Sequence, residues 1–246
     1  MRVWIIVAAL ALAGCSVEVQ EERPTRPHPQ EKRVANSPSA SERASIRARA
    51  DRAANQFVSV IQRMEPIAEQ MCREERPGNC DFQIVVDNRV GLPPNAFQTV
   101  DRRGRPVLAF NLALITSVRN ADELAFVVGH EAAHHIANHL ERRQQSATVG
   151  AAVFGGVIGA ITGGDAGAVR AGQEIGAAVG SRSYSKEFEL EADALGTVIT
   201  HRAGYDPVRG SQFFTQLPDP GNAFLGTHPP NAARKAIVAR VASELN

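Results

Sequence analysis

The residues best suited to chemistry in this chain of 246 are His130-Glu131-Ala132-Ala133-His134. Two histidines four positions apart on a helix leave it from one face, one turn from each other, and can grip a single zinc ion. The helix that must carry them is legible around them. Asn120 and Glu123 form a capping pair at its start, and Leu124, Val127, Val128, Ile136 and Leu140 give it an apolar side.

A hydrolytic zinc ion needs a third protein ligand and an open position for water, which directs the search to a carboxylate on another helix. Ser185 to Arg202 reads as that helix, closed by Gly204 with Pro207 beyond, and its first half carries Glu187, Glu189, Glu191 and Asp193. Acidic residues near a helix start also suit the macrodipole, so any one of them can be a solvated charge. Glu189 and Asp193 are four apart and share a face, so one can bind metal while the other accepts a hydrogen bond from a ligating histidine. Spacing alone does not say which.

Further elements must hold these two helices in place. Upstream, a helical pattern runs from about Ala44 to Cys72, with Ile46, Phe57, Val60, Ile61, Met64 and Ile67 at three- and four-residue spacing; Pro66 is expected to kink or split it. Phe82 to Val86 reads as a short strand and Val107 to Phe110 as another, with turns at Pro93-Pro94 and Arg103-Gly104. The fold class expected is therefore α+β, a mostly helical domain with a small sheet. Between Val149 and Gly180 fall ten of the chain's 20 glycines, several at four-residue spacing, as in Gly155/Gly159/Gly163 and Gly172/Gly176/Gly180. Such spacing lets helix backbones approach closely. The segment reads either as a packed helical hairpin turning at Gly163-Gly164-Asp165 or as a mobile or membrane-touching flap beside the active site.

The N-terminal stretch reads as an address. Arg2 precedes an apolar run from Val3 to Ala13, and Leu12-Ala13-Gly14-Cys15 resembles a bacterial lipobox, so residues 1–14 are expected to be a lipoprotein signal peptide and Cys15 the lipidated mature terminus. Residues 15–42 then form a disordered tether, rich in Pro, Ser, Glu and Arg, that would average roughly 30 Å in span. Residues 43–246 make up one domain. The lipid is the sole membrane anchor expected, since no other apolar segment reaches the roughly 20 residues of a spanning helix. Removing Arg2 with the leader takes the 27 basic residues to 26, equal to the 26 acidic ones, so nucleic acid is not an expected partner. Cys72 and Cys80 flank a short loop containing Pro77 and Gly78, and in an oxidising compartment they form a candidate disulfide.

Several segments in order resemble one known family. Asn95-Ala96-Phe97, Gly129-His130-Glu131 through His134, Tyr184-Ser185 with Glu189-Leu190-Glu191-Ala192-Asp193, Ala203-Gly204-Tyr205-Asp206-Pro207, and Thr227-His228-Pro229 with Arg234 look like the zinc metallopeptidases that include the CAAX prenyl protease and the HtpX heat-shock protease. With a lipobox, the chain looks closest to soluble periplasmic lipoprotein members of the BepA and LoiP types. The resemblance implies a zincin-like gluzincin fold with a short sheet beside the zinc, one Zn2+ per chain, Glu189 as third ligand and Asp193 behind the metal. Glu187 and Glu191 are then left as solvated charges.

The expected chemistry is peptide hydrolysis. Glu131 takes a proton from the attacking water and passes it to the departing amine. His228, in a Pro-flanked loop, is a candidate either for stabilising the oxyanion or for plugging the fourth zinc position, and Arg234 for orienting that loop. His135 and His139 are expected behind the ligands or in solvent. The function expected is endopeptidase action on unfolded or misassembled envelope proteins, from the periplasmic side of the outer membrane. The alternative is a chaperone-like assembly factor with a largely closed zinc site.

Overall fold

The computed structural model describes residues 38–183, 185–219 and 229–245. The leader, Cys15, most of the expected tether, and His228 lie outside them.

Helix α1, Ala40–Glu75, buries Phe57, Val60, Ile61, Met64, Ala68, Met71 and Cys72, a spacing that turns one face inward. Pro66 stands inside it without dividing it, so the split does not occur. Met64 and Ala68 are fully buried on either side of the proline, so packing carries the helix past the one amide that proline removes.

The sheet has three strands rather than two. Strand β1 (Gln83–Asp87) runs parallel to β3 (Pro106–Asn111), and β2 (Ala96–Val100) runs antiparallel on the other side of β3. The sequence read β2 as part of a turn region, because it follows Pro93-Pro94 and buries no residue fully. Its presence makes β3 the central strand, with Leu108, Ala109 and Phe110 buried.

Among the described residues, six helical elements follow the sheet before the C-terminal one. They are α2 (Leu112–Ser117), α3 (Ala121–Ile136), α4 (His139–Thr162), α5 (Ala166–Ser183), α6 (Ser185–Arg202) and α7 (Pro207–Gly210), the last running into a 3-10 turn at Ser211–Gln216. Helix α8 spans Asn231–Glu244. A compact unit runs from Ala40 to Asn246, and α3 lies in its interior, buried at thirteen of its residues from Glu123 to Ile136. The core joins Leu124, Val128 and Ile136 of α3 to α1, to Phe82, Leu108 and Phe110 near the sheet, and to Ala192 and Ile199 of α6. This is the mostly helical α+β architecture that the sequence implied.

Local chemistry sets the helix ends. The Asn120 side chain accepts from the Glu123 amide at 3.0 Å, while Glu123 accepts from the Arg119 amide at 2.7 Å, a reciprocal cap displaced by one residue from the usual pairing. Gly204 closes the region after α6 at φ 80, a left-handed conformation that glycine adopts without strain.

Helices α4 and α5 form the hairpin, turning at Gly163 and Gly164. A Cβ on Gly150 would collide with the Gly176 backbone, so the glycines exist to let the two helices touch. One expectation fails here. Among the described residues, α4 is long and apolar enough to cross a bilayer by length and composition. Glycine, alanine and threonine dilute its large apolar side chains and hide the signal, yet no charged residue occurs from Gln144 to Gly164.

Candidate metal centre

Helices α3 and α6 cross at two glycines, and that crossing sets the site. A Cβ on Gly129 would stand 2.9 Å from the Gly196 carbonyl oxygen, and one on Gly196 would stand 2.9 Å from the His130 amide nitrogen. The backbones are therefore in contact beside the first histidine. The sequence reading did not single out Gly196, because a glycine at a crossing has meaning only beside its partner.

Across this contact His130, His134 and Glu189 converge. His130 and His134 place their Nε2 atoms 3.1 Å apart, and these lie 3.5 and 3.4 Å from the two Glu189 carboxylate oxygens. A tetrahedral zinc with nitrogen and oxygen ligands at about 2.0–2.2 Å separates its ligand atoms by roughly 3.3–3.6 Å. The triangle fits that ion, and among the described residues these three form the group able to hold a metal.

The supports behind the ligands come from three helices. Asp193, fully buried one turn beyond Glu189, accepts from the His130 Nδ1 at 2.8 Å. The Arg234 guanidinium, brought in by α8, grips the same carboxylate through Nε and Nη2, each at 2.7 Å, and lies over the Phe214 ring. Its Nη2 also lies 3.3 Å from the His130 ring and 3.5 Å from Glu189. Arg234 thus holds the aspartate that holds His130, a tighter role than orienting a loop.

His134 has its own support. Its Nδ1 meets the Nδ1 of His139 at 2.8 Å, and the His139 Nε2 meets Glu191 at 3.1 Å, where Arg142 also donates at 2.7 Å. The His139 ring stacks on Phe188. Glu191 is therefore not the free solvated charge the sequence suggested. His135 turns the other way: buried, it reaches the Asn79 carbonyl at 3.0 Å and packs edge-on against Phe82. Asn79 belongs to the loop closed by the Cys72–Cys80 disulfide, and Arg76 of that loop donates to the His135 carbonyl at 2.6 Å. The loop clasps the end of α3.

Charge follows from this packing. Burial pushes the His130 imidazole down, but the bonds to Asp193 and Glu189 outweigh it and hold it up at about 10 in the metal-free chain. Burial pulls His139 down to about 4, so it is neutral and can accept from one side and donate to the other. Burial raises the Glu131 carboxyl, against a pull from the two histidines.

Glu131 faces a cleft of about 340 Å³ lined also by His130, His134, Glu189, Arg234 and the strand residues Ala96, Phe97 and Gln98. A three-ligand site with a buried carboxylate beside it, opening on a sheet edge, belongs to the metal-dependent hydrolases. The profile of peptidase family M48 matches residues 54–241, and the chain belongs to that family of zinc metallopeptidases. No curated protein matches the chain.

Proposed function

We propose that this chain is a zinc endopeptidase of the bacterial cell envelope that cleaves unfolded or misassembled proteins, tethered through lipidated Cys15 to the periplasmic face of the outer membrane. The observation that carries the catalytic part is the convergence of His130, His134 and Glu189 around a cleft that Glu131 also lines. Zinc, when bound there, polarises the scissile carbonyl and acidifies water. Glu131 accepts the proton of the attacking water and returns it to the amine nitrogen as the peptide bond breaks. Its burial suits this task, because raising the carboxyl above its ordinary range makes the ionised form a stronger acceptor for the water proton.

Strand β2 supports action on extended chains. It is an edge strand, paired with β3 on one side only, and Ala96, Phe97 and Gln98 line the cleft. A substrate backbone pairing with that edge would run past the ligands, and a folded target offers no such free strand. Strand β3 offers no such free edge, because it is paired on both sides. The likeness to BepA and LoiP types and the lipobox at Leu12 to Cys15 support the location.

Casein cleavage tests the reading. Wild type should cleave, and Glu131→Gln should fall to background while keeping its zinc. Equal cleavage by Glu131→Gln would overturn it.

A further inference from the structure

The α4–α5 hairpin carries an apolar face that the peptidase site does not use. Val149, Val153, Val157 and Ile161 recur every four residues along the outside of α4 and are 63, 55, 53 and 75% exposed. The stripe is roughly 18 Å long at the helical rise. The glycine seam fixes which side of the hairpin it occupies: Gly150 packs on Gly176 and Gly155 on Gln173, so the inner face of α4 is spent on α5 and the valines are left outside.

We infer that this outer face of α4 is a lipid-contacting surface, seated in the interfacial layer of a membrane with anionic headgroups. The flanks of the stripe argue for lipid over protein. A protein interface ordinarily has an apolar centre within a polar, charged rim. Here the whole run from Gln144 to Gly164 is uncharged, and α4 passes the length and composition test for a bilayer segment with only 6% of that window buried.

Charges appear at the base. The pairing of Gly180 with Ser146 sets Arg182 level with Arg143, and these two exposed arginines outnumber Glu141 on the same turns, as anionic headgroups require. The depth is limited as well. Exposed Arg170 and Glu174 on α5, with Asp165 at the tip, would be costly to carry through hydrocarbon. The hairpin therefore lies along the surface, α4 toward lipid and α5 toward water, rather than crossing. This contact is independent of the peptidase reading and additional to an acyl chain on Cys15.

The chain beginning at Ser16 tests it, since it keeps the compact unit from Ala40 onward and drops both the apolar leader and the acyl acceptor. It should float with vesicles of phosphatidylethanolamine and phosphatidylglycerol. Val153→Glu with Val157→Glu, both at exposed positions, should weaken that binding about tenfold or more, with zinc content and Tm unchanged. This chain has no tryptophan, the single one being Trp4, so Val157→Trp supplies a lone probe. Its emission should shift to the blue on vesicles and be quenched by brominated acyl chains. Absence of flotation, or equal flotation by the double variant, would overturn the inference. So would a blue shift without vesicles in a chain that sediments as a dimer, which would make a second copy the occupant.

Discussion

The Nδ1 atoms of His134 and His139 lie 2.8 Å apart, although His139 belongs to the next helix and the left-handed Asn138 stands between the two elements. The contact fixes which nitrogen of His134 faces the metal, since a ring whose Nδ1 is engaged presents Nε2 to the ion. His139→Ala should weaken zinc binding by about tenfold to a hundredfold, measured by competition with a chromophoric chelator. Glu191→Ala should shift affinity the same way by less, and exposed Glu187→Ala should not shift it. Unchanged affinity in His139→Ala would make its stacking on Phe188 purely structural.

The crossing at Gly129 predicts a packing defect. In Gly129→Ala the new methyl meets the Gly196 carbonyl and the Thr200 hydroxyl, each at 2.9 Å, and both are held by their own hydrogen bond. The helices must part, at about 1–3 kcal/mol of stability. A lower Tm together with weaker zinc retention is expected; a lower Tm with unchanged zinc affinity would show that the crossing does not set the ligand spacing.

The disulfide predicts a stability loss without a catalytic one. Closing the short loop between Cys72 and Cys80 contributes about 2–3 kcal/mol in the chain-entropy account. Cys72→Ser with Cys80→Ser should lower the denaturation midpoint accordingly, while the wild type under reductant should match the variant. Equal midpoints with and without reductant would show that the clasp on α3 rests on Arg76 and His135 alone.

His130 predicts a pH effect with a definite sign. Its folded value near 10 stands above the ordinary 6.5, so the stabilisation is complete below about 6.5 and disappears as pH rises through about 10. The Tm of the metal-free chain should fall between pH 7 and 10, and Asp193→Asn should flatten that slope. Zinc loading must expel the proton, so calorimetric titration in buffers of different ionisation enthalpy should detect roughly one proton released per zinc near pH 8.

The ligand helices were legible in the sequence because their signals are local. The Asn120 cap gave the start of α3, and the Gly204 stop gave α6 to the residue, whereas Leu140, read on the same helix as His130, belongs to α4 because the chain turns at Asn138. What escaped depends on partners distant in the chain. Strand β2 has little burial of its own and exists by pairing with β3. Gly129 and Gly196 are 67 positions apart, and their crossing leaves no signal in either segment alone. His139 lies five positions from His134, a spacing that shares no helix face, and meets it because the chain turns through Asn138. The apolar character of α4 was spread thinly over alanines and glycines, so it emerged only once the hairpin showed which side was covered.

The grip of Arg234 on Asp193 orders the site in time. His130 is synthesised 104 residues before the arginine that completes its support. A ribosome therefore displays the ligand histidines long before α8 exists to pin the aspartate behind them. A chain halted between α6 and α8 carries all three ligands with a loosely held carboxylate at their back, and its metal would exchange readily with competing chelators. The mature affinity for zinc is acquired last, when folding of the surrounding helices is already done, and a truncated product is by the same logic a poor protease.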